Sequence, residues 1–213
     1  MSSNLQHLMR TSPVTLSLIL LACLATLAFS KIIGPQVLLW LAFTPIEIIN
    51  LRLSSLPLNA TLETGQWWRL ITPIFLHFGI THLVFNCLWI WILGSQVELR
   101  QGSFKILALS LCTALVSNTA QFVVNESSNF GGLSGVVYGY LGYVWLTKRL
   151  RPQLGLELNN SLVIFMLVWM LFGISGLSAM LGLNMANEAH LGGLLAGLVF
   201  ALVPWSGRPK RWA

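Results

Sequence analysis

Aspartate is absent from this 213-residue chain, and six glutamates supply all of its side-chain negative charge. Any serine chemistry must therefore run without the aspartate that orients the histidine of a Ser-His-Asp triad. Charge of either sign is scarce. Only 8% of residues are charged and 55% are hydrophobic, whereas a soluble domain carries about 25% charged residues. The three cysteines, Cys23, Cys87 and Cys112, form no CxxC and fall in apolar runs, where they read as small buried hydrophobes. There is no HExxH and carboxylates are few, so no metal site is expected. The net charge of +6 does not point to nucleic acid, because basic residues stand singly or in short clusters between apolar segments.

What is present is a series of long uncharged runs. Windows 11–30, 70–97, 106–125, 127–147, 158–187 and 189–207 contain no Asp, Glu, Lys or Arg, and a span needs about 20 mostly apolar residues. These runs predict an all-α, polytopic membrane protein. It forms a single domain over residues 1–213, with spans near 12–32, 70–94, 104–124, 131–149, 159–180 and 189–205. The first run is not read as a cleaved signal peptide, since Arg10 gives little preceding charge and no A-x-A site follows. The segment 34–68 carries the apolar run Val37–Phe43, which is too short to span and predicts a structured, membrane-associated loop. Trp67 and Trp68 suit the headgroup belt, which would start the second span just after them.

Basic residues predict the orientation. With six spans and a cytoplasmic N-terminus, Arg10, Arg100, Lys105, Lys148, Arg149, Arg151, Arg208, Lys210 and Arg211 fall inside, while Lys31, Arg52 and Arg69 fall outside. Both termini are therefore expected in the cytoplasm.

The chemistry is carried by Gly131-Gly132-Leu133-Ser134-Gly135, which opens an apolar run, and by His190 at the head of another. In this topology both lie near the outer ends of their spans, at similar depth. Gly131, Gly135 and Gly139 repeat every four residues, as do Gly193 and Gly197. Such stripes let helices approach closely in lipid, and if they meet, the imidazole comes within reach of the hydroxyl. Helix packing alone is the plainer use of these glycines. Tyr138, one turn below Ser134, shares its face and is placed to hold the imidazole ring.

His82 and Asn86, at i and i+4, present two hydrogen-bonding groups on one face. They read either as oxyanion donors, together with the Ser134 backbone N–H, or as interhelical glue. His77 reads as structural, His7 as a solvated tail residue, and Glu188 as a loop neighbour rather than a triad member. Arg69, Glu98 and Arg100 read as structural charges near the ends of the second span. Asn187 is placed to cap the sixth helix or support the site loop.

WRLITPIFLHFGITHLVFN, GGLSGVVYGYLGYVWL and MANEAHLGGLLAGL together resemble the rhomboid family of intramembrane serine proteases, the bacterial GlpG type most closely, over residues 66–205. The resemblance implies Ser134 as nucleophile, His190 as general base, and His82 and Asn86 as the oxyanion pair. It implies that the backbone of Gly132 and Leu133 contributes to the oxyanion hole, that Tyr138 stacks on His190, and that Gly193 and Gly197 form the close-packing stripe. Phe85 and Trp169 resemble the gate between spans two and five. The implied fold is a six-transmembrane-helix bundle, and the implied activity is endopeptidase cleavage of transmembrane protein substrates. Lipids are the implied surroundings, in a bacterial inner membrane, with no metal, nucleotide or organic cofactor and no nucleic-acid partner. GlpG-type members usually carry a cytoplasmic domain before the first span, which this sequence does not show. A catalytically dead scaffold, a small transporter and a membrane acyltransferase or esterase are the rival readings of the same residues.

Overall fold

A computed structural model describes residues 12–32, 34, 36–49 and 52–204. Arg10, Arg208, Lys210, Arg211 and His7 lie outside the described residues.

The chain is built from apolar helices. Helix α1 (Pro13–Leu27) continues as a π-helical turn, Ala28–Ile32. The first loop holds α2 (Gln36–Leu41), an antiparallel hairpin of β1 (Ile46–Ile49) and β2 (Arg52–Ser55), and α3 (Leu58–Glu63). Helix α4 (Ile80–Trp89) runs through a π-helical turn, Ile90–Gly94, into α5 (Ser95–Gln101). Then come α6 (Ser103–Asn125), α7 (Ser134–Leu150), α8 (Asn160–Ile174), the short α9 (Leu177–Met180) and α10 (Asn187–Leu202).

Among the described residues, three helical stretches are long and apolar enough to cross a membrane: Pro13–Ser30, Ile80–Gln101 and Ser103–Asn125. Helices α7, α8 and α10 have 17, 15 and 16 residues. At about 1.5 Å per residue they are shorter than the roughly 30 Å hydrocarbon core, and their ends differ by a few residues from the bounds expected at these three places.

Each shortening has a local cause. The second span begins at Ile80, not near 70, because Leu76 and Gly79 are extended, so that Trp67–Leu70 and Thr72–Phe75 close as separate 3₁₀ turns. The fourth begins at Ser134, leaving Gly131 outside the helix and so outside the expected glycine stripe. The fifth stops at Ile174, since Gly176 takes φ +80°. The sixth stops at Leu202, where Val203 turns extended ahead of Pro204.

Helix α7 is the centre of the bundle, buried along most of its length. Its most extensive partner is α10, and α6 packs against both. A Cβ on Gly193 or Gly197 would strike the carbonyls of Gly135 and Gly139, so these two backbones touch. Towards α6, a Cβ on Gly135 would lie 2.5 Å from Ser117 Oγ, and one on Gly139 would strike the Thr113 side chain. In lipid, helices associate through packing and hydrogen bonds rather than the hydrophobic effect, and small residues maximise both.

Buried charges tie the remaining pieces on. The Glu98 carboxylate, 1% exposed, accepts from the Val14 and Thr15 amides at 2.8 Å and from Thr15 Oγ1 and Ser103 Oγ at 2.7 Å. It thus caps the first turn of α1 from another span, satisfying donors that a helix leaves open. Arg69 donates to the carbonyls of Leu39, at 2.5 Å, and Ala42, at 3.1 Å, holding the end of α2 against the 3₁₀ turn at 67–70. Thr72 Oγ1 donates to the Leu41 carbonyl at 3.0 Å, and Trp68 Nε1 to the Trp40 carbonyl at 3.1 Å. The first loop is therefore a fastened element, as expected, although it includes a hairpin that the apolar run did not announce.

Candidate active site

Ser134 is the first residue of α7 and His190 lies in the first turn of α10. Because α7 and α10 pack along their glycines, these two first turns come to the same level. Ser134 Oγ lies 2.9 Å from His190 Nε2. The serine is half-buried and the imidazole is 5% exposed. Tyr138 lies beside the imidazole, with ring centroids 4.8 Å apart and planes at 34°. Its hydroxyl donates not to the histidine but to the Met166 carbonyl of α8, at 2.7 Å. The ring, not the hydroxyl, is what Tyr138 offers the imidazole.

A serine proton passing to Nε2 requires that atom to hold the lone pair, which places the imidazole hydrogen on Nδ1. His190 Nδ1 is buried without a hydrogen-bond partner among the described residues. Glu188 accepts from Asn125 Nδ2 at 2.9 Å, fastening the start of α10 to the end of α6. Gln121 Oε1 adds a second tie by accepting from the Ala189 amide at 3.1 Å.

On the other side of the serine, α4 delivers His82 and Asn86. A Cβ on Gly132, whose φ is +116°, would lie 2.6 Å from His82 Cε1 and 3.3 Å from Asn86 Nδ2. Glycine is required there twice, by backbone conformation and by the two side chains it faces. Asn86 is 4% exposed, and its Nδ2 donor has no partner among the described residues. A buried amide donor is ordinarily paired, and leaving one open costs about 1–3 kcal/mol. An open donor beside a nucleophile is therefore an indication of ligand binding.

Two of the loop's backbone amides have acceptors within the protein. The Gly132 N–H donates to the Pro73 carbonyl at 3.0 Å and the Leu133 N–H reaches His77 Nε2 at 3.4 Å. The Ser134 N–H, at the start of its helix, has no intrahelical acceptor. Asn187 is the first residue of α10 rather than its cap, which is Ala186. Its Nδ2 donates to the Gly173 carbonyl at 3.0 Å and ties α8 to α10. Phe85 and Trp169 are 58% and 44% exposed. Trp89 of α4 and Phe165 of α8 stack across the two helices with ring centroids 6.5 Å apart.

His77 sits nearer the centre of this constellation than a residue read only as structural. Its ring is 1% exposed and lies 5.0 Å from that of His82. The sequence signal for it was slight: a second histidine five residues before His82, in a stretch read as helix. Among the described residues, five basic ones gather at the opposite end of the bundle. Lys148, Arg149 and Arg151 close α7, Arg151 donates to the Ala201 carbonyl at 2.8 Å, Lys105 lies 4.3 Å over the Phe200 ring, and Arg100 lies against Gly155.

These apolar helices around a buried polar cluster define an all-α polytopic membrane protein. A family model of the rhomboid domain matches residues 64–206. The chain belongs to the rhomboid family, whose known activity is intramembrane serine proteolysis.

Proposed function

We propose that the protein is an intramembrane serine endopeptidase working through a Ser134–His190 dyad. The observation that carries this reading is the 2.9 Å approach of Ser134 Oγ to His190 Nε2, from elements 56 residues apart. The open Nδ2 donor of Asn86 next to the nucleophile's loop adds to it.

In the first step His190 Nε2 takes the Ser134 proton as Oγ bonds to the scissile carbonyl carbon. Negative charge develops on the former carbonyl oxygen. Asn86 Nδ2, His82 and the Ser134 N–H receive it. The imidazolium then protonates the leaving amine as the C–N bond breaks, giving an acyl-enzyme. Water, deprotonated by His190, attacks the ester, and the proton returns to Ser134 as the acid product leaves. No aspartate balances the imidazolium. The Tyr138 ring lies against it and favours the cation through its π face.

The substrate is a transmembrane segment. A carbonyl within a helix is hydrogen-bonded and shielded, so the segment has to unwind locally, which small or helix-breaking residues near the cut permit. Entry lies between α4 and α8, past Phe85 and Trp169. Water reaches Ser134 through a polar opening at the end of the bundle that carries α7's first turn. The opposite end, which carries the basic cluster, lies in the cytoplasm on this reading, as the excess of basic residues there favours. The setting is a bacterial inner membrane of the GlpG type, with both termini in the cytoplasm.

The test is incubation of the purified chain with a labelled single-span substrate, with mass-mapping of the products. Ser134→Ala and His190→Ala each abolish cleavage while the unfolding midpoint holds, and a fluorophosphonate labels the parent chain at Ser134. Cleavage persisting in either variant removes the dyad. A parent chain that neither cleaves nor labels favours a scaffold.

A further inference from the structure

The nucleophile's loop does not hang free from α7. A Cβ on Gly131 would lie 2.6 Å from Leu76 Cβ and 2.8 Å from the carbonyl oxygens of Leu76 and Pro73. The Gly132 amide donates to the Pro73 carbonyl at 3.0 Å. One residue later, the Leu133 amide points at His77 Nε2, at 3.4 Å. Residues 73–77 thus form a platform that meets 131–133 residue by residue, and Ser134 follows immediately. His77 is the side chain of that platform that reaches a loop amide.

The protonation of His77 follows from its two neighbours. Leu133 offers an N–H, so Nε2 must present its lone pair. The hydrogen is then on Nδ1, which lies 3.2 Å from the Phe75 carbonyl and donates to it. A single neutral tautomer satisfies both contacts. Its ring also lies 5.0 Å from that of His82, tilted by 56°, and limits how far His82 can swing from the oxyanion side.

We propose that His77 is a positioning residue for the reaction. Its Nε2 holds the Leu133 amide, and this fixes the turn that aims the Ser134 N–H at the developing oxyanion. The inference rests on the dyad reading above. The bond is long, so what it supplies is direction rather than strength. A turn free to rotate carries the Ser134 N–H away from the oxyanion, and misplacement of about 1 Å is enough to lose a hundredfold in rate. His77 is buried, 1% exposed, away from any surface a substrate could contact, so the loss is expected on kcat and not on KM.

Two substitutions separate the role from simple packing. His77→Gln places an oxygen near the Nε2 position and keeps an acceptor for Leu133. His77→Asn mimics the Nδ1 side, keeps the donor to Phe75 and loses the acceptor. Cleavage of the labelled single-span substrate is measured for both, with hydrogen exchange at the Leu133 amide and the unfolding midpoint alongside. His77→Asn is expected to lower kcat by about ten- to a hundredfold, with KM within about twofold and faster Leu133 exchange. His77→Gln is expected to recover most of that loss and to restore the exchange protection.

Equal kcat in the two variants overturns the proposal, as does a loss confined to KM or one that follows the unfolding midpoint alone. Unchanged Leu133 exchange in His77→Asn overturns it even if the parent chain proves inactive. A parent chain that neither cleaves nor labels refutes the dyad reading instead, so the two failures are distinguishable.

Discussion

Gly193 lies so close to Gly135 that a methyl group on its α-carbon would run into the Gly135 carbonyl oxygen. One turn further on, Gly197 meets Gly139 in the same way. These two contacts set the level at which His190 faces Ser134.

Gly193→Ala therefore has to push α10 away from α7, since backbone, not a flexible side chain, stands in the way. The expected cost is about 1–3 kcal/mol, typical of overpacking. Cleavage should fall further than the loss of folded protein explains, because the His190–Ser134 distance opens with the helices. Unfolding midpoints together with kcat per folded molecule check this. An alanine variant with normal rate and midpoint would show that the approach is not required.

Asn86→Ala is expected to separate stability from activity. The variant removes a buried donor that has no partner, so the unfolding midpoint should hold or rise. If Asn86 serves the oxyanion, kcat falls by about 10²–10³. Steady-state kinetics beside thermal unfolding decide it. A falling midpoint with normal kcat would mark Asn86 as interhelical glue.

Tyr138 has two parts with different tasks. Tyr138→Phe loses the bond to the Met166 carbonyl but keeps the ring against His190. It should cost about 1 kcal/mol or less of stability and leave most of the activity. Tyr138→Ala removes the ring and should lower kcat much further. Equal kcat in the two variants would remove the ring from the mechanism.

Glu98→Ala is expected to loosen α1. Four donors, from Val14, from Thr15 twice and from Ser103, lose their acceptor together. Destabilisation of about 1–3 kcal/mol is expected, with Glu98→Gln milder because an acceptor oxygen remains. Exchange at the Val14 and Thr15 amides locates the effect. Protection unchanged there would show that α1 holds its first turn by other means.

The helices that need no partner were the ones legible in the sequence. Long uncharged runs without proline or glycine, such as 106–125, must satisfy their backbone internally in lipid, and only a helix does so. The shorter helices differ from those runs at their ends. Pro73 ahead of α4, Gly132 ahead of α7 and Gly176 after α8 lie inside uncharged windows, where composition alone reads straight through them.

By itself the sequence determined that this is a rhomboid membrane protein, that glycines line the faces of α7 and α10, and that a serine and a histidine open those helices. Apolar length, small-residue spacing and helix-start position are local properties, so a linear reading captures them. Only the tertiary structure decided that Glu98 caps α1, that Asn86 is left with an open donor and that His77 takes the Leu133 amide. Each of these depends on which polar group a distant segment brings within about 3 Å in a setting that offers few alternative partners. No local pattern in the chain specifies that choice.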